Sequence, residues 1–123
     1  MTLTQAEEQV MKHLWNLEKA YMKDILDEYP DPKPKPTTLA TLLKRMIQKG
    51  FVGYNQHGNN REYFPLVRKE AYFSKHLSAM VKDFFNDSAS QFASFFASES
   101  DMSLEELEAL KAEIEERIKK GNR

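Results

Sequence analysis

Thr38, Thr41 and Arg45 follow one another at i, i+3 and i+7, with Lys44 adjacent. They sit in a stretch where Leu39, Leu42, Leu43, Met46 and Ile47 keep an apolar helical period. On one helix the two sets fall on opposite sides. The polar set offers recognition rather than reaction. A guanidinium pairs in a bidentate way with guanine, a threonine presents a hydroxyl and a methyl to thymine or phosphate, and lysines neutralise phosphates. The surroundings suit an anionic partner: residues 31–50 hold five Lys or Arg and one Asp. Lys33, Lys35, Lys44, Lys49 and Arg61 are the candidate phosphate contacts, and Tyr54 and Tyr63 could reach the same backbone. For the two tyrosines, packing of one sheet face on the first helix is an equally good reading. An isolated helix with such a polar side would be read as merely solvated. The lysines before it and the β-type pattern after it reverse that judgement.

Other chemistry finds little support. His13, His57 and His76 are scattered, with no H-E-x-x-H and no i, i+4 histidine pair for a metal, so His13 reads as a helix-surface residue and His57 as a loop residue. There is no cysteine, which excludes disulfides, thiolate metal sites and cysteine nucleophiles. The glycines at 50, 53, 58 and 121 form no phosphate-cradling loop. The pairs Glu7/Glu8, Glu105/Glu106 and Glu115/Glu116 read as solvated helix charges. The expectation is no enzyme, no catalytic residue, no metal and no cofactor.

The elements that must position the polar stripe can be read in order. Thr4 and Glu7 have capping-box spacing, and Ala6, Val10, Leu14 and Leu17 continue a first helix. A short second helix fits 20–29, with Met22, Ile25, Leu26 and Tyr29 inward, stopped by Pro30. The stiff run Pro30–Pro36 then leads into the third helix, which Thr37 can cap and which Gly50 can end in a left-handed conformation. From 51 the period changes: Phe51–Gln56 and Arg61–Leu66 are short aromatic and branched runs around the Gly/Asn loop 57–60, a β-hairpin. Three helices followed by a hairpin is the order of a winged helix-turn-helix. The fold class expected is mainly α with a small β-hairpin: a winged-helix domain over 1–72, then a helical region over 73–123.

That region carries a different composition. Residues 1–73 hold eleven basic and nine acidic groups, whereas 74–123 hold seven basic and ten acidic, so the overall net charge of -1 is a cancellation. Phe73, Leu77, Met80 and Phe84 trace a helix over 69–85; Phe92, Phe95 and Phe96 lie on another over 88–98. Ser103 and Glu106 form a second capping box, and Leu107, Leu110, Ile114 and Ile118 line a last helix. Three helices of this size cannot bury six phenylalanines among themselves. The simplest cover is a second copy of the same region, giving a two-fold dimer in which Phe73, Leu77, Met80, Phe84, Phe92, Phe96, Leu107, Leu110 and Ile114 pack. No apolar run approaches a membrane span and the start of the chain lacks signal-peptide features, so a cytoplasmic location is expected.

Three sets of residues together resemble the penicillinase repressor (BlaI/MecI) family. They are Leu3, Thr4, Ala6, Glu7, Val10, Met11, Leu14 and Trp15; then Thr38, Leu39, Thr41, Leu42, Leu43, Arg45, Met46, Lys49 and Gly50; then the run Tyr63–Val67, with Met102–Leu107 near the end. The resemblance covers about 3–118. It implies a homodimeric DNA-binding repressor that occupies inverted-repeat operators, often those of β-lactamase or penicillin-binding-protein genes, and so a link to antibiotic resistance. It also implies a membrane sensor–transducer metalloprotease system whose signal leads to cleavage in the dimerisation region. The scissile pair there is typically Asn-Phe, and the aligned pair here is Phe95-Phe96. Basic wing residues of the family fall at positions 54, 56 and 59, where this chain has Tyr54, Gln56 and Asn59, leaving Arg61 as the substitute. The alternative reading, from another class, is a winged-helix protein–protein interaction module that binds no DNA.

Overall fold

The computed structural model describes residues 2–121, apart from the side chain of Ile118. Thr4 opens the first helix, α1 (Gln5–Leu17), through a complete capping box: its hydroxyl accepts from the Glu7 amide at 3.2 Å while Glu7 Oε1 accepts from the Thr4 amide at 2.8 Å. The buried stripe of α1 is Glu7, Val10, Met11 and Leu14. Ala6, expected inside, is exposed, and Glu7, expected in solvent, has no exposed surface. The reason is the box itself, which turns the N3 carboxylate back over the helix end and under Lys49, whose ammonium lies 2.6 Å away. Its second oxygen, Oε2, is buried and accepts no hydrogen bond from the described residues.

Strand β1 (Ala20–Tyr21) follows, then α2 (Met22–Glu28) and α3 (Pro36–Gln48). The third helix begins earlier than Thr37: Pro36 occupies its first turn, where a missing N–H costs nothing, and Lys35 is the cap residue with no side-chain bond. Gly50 closes it at φ +84, its amide donating to Ile47 O at 3.1 Å. Strands β2 (Val52–His57) and β3 (Asn60–Pro65) meet across a two-residue turn, Gly58-Asn59, tighter than the four-residue loop expected. The sheet has three strands in the order β1-β3-β2, with Ala20 opposite Tyr63 and Tyr21 opposite Glu62. A two-residue strand has no period to read, which is why the sequence suggested a plain hairpin. At Gly53, paired with Phe64, a Cβ would lie 2.9 Å from the Phe64 ring, so only glycine lets that ring cross the strand.

Val10, Met11 and Leu14 of α1, Ile25 of α2, Leu39, Leu43 and Met46 of α3, Val52 of β2 and Tyr63 of β3 form the core of the first unit, residues 1–75. At about 1.5–3 kcal/mol for each fully buried large apolar side chain, this contact holds α3 rigidly against α1 and the sheet. The first turn of α4 (Lys69–Phe85) belongs to it as well. Trp15 Nε1 donates to Val67 O at 2.8 Å just before α4, and Tyr72 stands 5.6 Å from the Trp15 ring and donates its hydroxyl to Glu8 Oε2 at 2.7 Å.

The second unit, residues 76–123, holds the rest of α4 with α5 (Ala89–Glu99) and α6 (Leu104–Gly121). Asn86 and Asp87 turn the chain after α4 at φ 51 and 61, a region these two residue types tolerate. Ser88 caps α5, and Ser103 with Glu106 forms the capping box of α6. Phe85 packs on Phe92 and Phe95, each at 5.6 Å between ring centres. Yet among the described residues of 76–121 none is buried as a whole. Phe84 stays 77% exposed and Phe95 54%, with Met80, Phe96 and Ile114 also exposed; Leu77, Phe92, Leu107 and Leu110 are half-buried.

Candidate nucleic-acid interface

The apolar side of α3 fills the core, so its other side must face solvent, and Thr37, Thr38, Thr41, Lys44, Arg45 and Gln48 are all exposed. This face carries no acidic residue. Lys35, Lys44 and Arg45 make no ion pair among the described residues, so their charge is available to a ligand. Thr41 Oγ1 donates to Thr37 O at 3.0 Å, whereas Thr38 makes no side-chain hydrogen bond within the described residues.

Two of the expected phosphate contacts are occupied internally. Lys33 places its ammonium at the C-terminal end of α2, donating to Leu26 O at 3.1 Å and Tyr29 O at 2.5 Å. That helix end otherwise exposes unsatisfied carbonyls, and a lysine there also complements the helix dipole. Lys49 donates to Glu7 Oε1 and, at 3.1 Å, to Thr2 O. Burial pushes the Glu7 carboxyl up. Its bonds from Lys49 and Thr4, together with the Lys49 charge, outweigh this and hold it below the usual carboxylate range.

On the wing, Arg61 lies over the Tyr54 ring, 4.2 Å from its centre. Tyr54 is more than a third exposed, while Tyr63, directly opposite, is buried in the core and takes the packing role considered for it. His57 is the last residue of β2, not a loop residue, and its Nε2 lies 3.3 Å from Glu62 Oε1. His13 is half-buried against Tyr29, with ring centres 4.3 Å apart, and burial lowers its pKa against the opposing charge of Glu28. Among the described residues no group of three or more His, Asp or Glu side chains could hold a metal ion.

An open groove of about 590 Å³ runs between the first turn of α2 and the wing, lined by Tyr21, Lys23, Asp24, Asn59, Asn60 and Arg61 among others. Lys23, which sequence reasoning passed over, lines this groove together with Arg61. Nothing local marks Lys23; only the pairing of β1 with β3 carries α2 to the wing.

Three helices, a β1-β3-β2 sheet and a protruding hairpin make the first unit a winged helix-turn-helix, with α3 in the recognition position. Similarity to known proteins takes the assignment further. Residues 3–116 match the penicillinase repressor family, and the chain belongs to that family of repressors. It is 24% identical to the penicillinase repressor of Bacillus licheniformis over 115 residues, 93% of this chain and 90% of that one. It is also 24% identical to the methicillin resistance regulatory protein MecI of Staphylococcus aureus (strain N315) over 110 residues, 89% of each chain. The solution structure of the DNA-binding domain of the repressor BlaI superposes with a TM-score of 0.51 at 26% identity, covering 58% of this chain and 88% of that one. No helix among the described residues is long and apolar enough to cross a membrane.

Proposed function

We propose that the chain is a transcriptional repressor that binds inverted-repeat DNA operators as a homodimer. The observation that carries this reading is the acid-free exposed face of α3, with Thr38, Thr41 and Arg45 turned outward on a helix fixed by its opposite side. In the major groove Arg45 pairs with a guanine, while Lys35 and Lys44 meet phosphates on either side. Lys23 and Arg61 meet the backbone along the wing groove, in place of the basic wing positions this chain lacks. The solved relative is by description a DNA-binding domain, which supports the same use of the fold.

The second copy is proposed on different grounds. A helical unit with no wholly buried residue among those described leaves Phe84, Phe95 and Ile114 in water, an arrangement that a matching copy would relieve. Two recognition helices related by a two-fold axis call for a palindromic site. Relief of repression is proposed through cleavage in this unit, signalled by a membrane sensor–transducer metalloprotease. Phe95 and Phe96 are exposed, but the bond between them lies within α5, so a protease must first unwind a helical turn. The target genes proposed are those of β-lactamase or penicillin-binding-protein type, and the site of action is the cytoplasm.

Selection of binding sites from random-sequence duplexes tests the reading. Enrichment of an inverted repeat supports it. Failure to enrich any sequence, with a stable protein complex recovered instead, would establish a protein-interaction module.

A further inference from the structure

We propose that Thr41 reads a thymine through its methyl group and not through its hydroxyl. The inference rests on the reading of α3 as the recognition helix and deepens it. Thr41 Oγ1 donates to Thr37 O, one turn back along the same helix, at 3.0 Å. A hydroxyl carries one hydrogen, and here it is committed to the helix. Because threonine branches at Cβ, fixing Oγ1 also fixes the methyl. What this exposed position offers to a ligand is therefore an oriented methyl group and a residual lone pair. Thr38, three residues earlier, makes no side-chain hydrogen bond among the described residues and keeps its hydroxyl free for a phosphate or a base. In the major groove only thymine presents an apolar group, its 5-methyl, so a fixed methyl on α3 finds its complement there.

The test uses the full chain and the duplex enriched from random sequences, with each thymine replaced in turn by deoxyuridine, which differs only by the missing methyl. One thymine per half-site is expected to be sensitive, with affinity falling about fourfold, the factor equivalent to ~0.8 kcal/mol for one buried methyl-sized group. Thr41→Val keeps the shape and the helix without the hydroxyl, and should retain the loss on uracil substitution at the same position. Thr41→Ser keeps the hydroxyl and loses the methyl, and should bind the thymine and uracil duplexes equally. Three results overturn the inference while leaving the DNA reading intact. These are a tight site insensitive to uracil at every position, a Thr41→Val variant that loses affinity while Thr41→Ser keeps it, and uracil sensitivity that survives in Thr41→Ser. Failure to enrich any duplex overturns the recognition-helix reading, and this inference with it.

Discussion

Lys49 places its ammonium 2.6 Å from Oε1 of Glu7, a carboxylate with no exposed surface, and so ties the end of α3 to the first turn of α1. The same carboxylate closes the capping box of α1. One side chain thus serves both a helix start and a contact between two helices.

Removing the cation should therefore cost more than a surface ion pair would. Lys49→Met is expected to lower stability by about 2–3 kcal/mol, because it leaves a buried carboxylate without its charge partner. The Glu7 carboxyl lies below its ordinary range in the folded protein, so its contribution is complete above the unfolded value near 4.5 and disappears as pH falls through the folded value. Urea denaturation between about pH 7 and pH 3 should show that acid loss in the parent chain. A flatter curve is expected in Glu7→Gln; identical curves for the two would contradict the pairing.

The alkaline side should be governed by Tyr72. Burial, the bond to Glu8 and the Glu8 charge push its hydroxyl up to about 12. A raised value means that the stabilisation is complete below the unfolded value near 10 and is lost as pH rises through 12. Ultraviolet titration should find a tyrosine ionising near pH 12. Tyr72→Phe should remove that step and cost about 1–2 kcal/mol.

Among the basic side chains, position predicts kind of effect. Arg45→Ala should cost about 1–3 kcal/mol on the selected duplex and relax preference at one base position. Lys35→Ala should weaken all sequences alike and make the salt dependence shallower by about one unit. Lys33→Ala should leave the salt dependence unchanged while lowering the melting temperature, since its ammonium already serves the end of α2. Fluorescence anisotropy over a salt series separates these three behaviours.

Self-association can be tested without touching the first unit. Phe84→Asp introduces a charge where a ring is 77% exposed in one copy. Sedimentation of the parent chain at micromolar concentration should give a dimer and that of the variant mostly monomer. A parent chain that sediments as a monomer would refute the pairing.

The apolar period of α3 and the turn chemistry around Gly50 were legible because each is a local property, decided within a few residues. Leu39, Leu42, Leu43 and Met46 are all buried as the spacing indicates. What escaped reading is what depends on distant partners. Glu7 looks like any N3 glutamate until Lys49 comes to it from the far end of another helix. Lys33 looks like a free cation until the chain folds it back on α2. Lys23 becomes relevant only when β1 joins the sheet, and the strand that does this is two residues long. In each case hydrophobic pattern gives the frame, while the role of a charge is set by contacts that pattern does not encode.

The two internally engaged lysines also change the thermodynamics of association. Of the five cations between residues 31 and 50, Lys33 and Lys49 already compensate carbonyl and carboxylate oxygens, which leaves Lys35, Lys44 and Arg45, and of these the proposed reading gives only Lys35 and Lys44 to phosphates. Each phosphate neutralised contributes about 0.9 to the logarithmic dependence on salt, so formal charge overstates the entropy gained by releasing counterions. On the proposed reading, a repressor built this way would depend less on ion release and more on direct contact with bases. Its discrimination between operator and bulk chromosomal DNA should therefore hold better when the ionic composition of the cell changes.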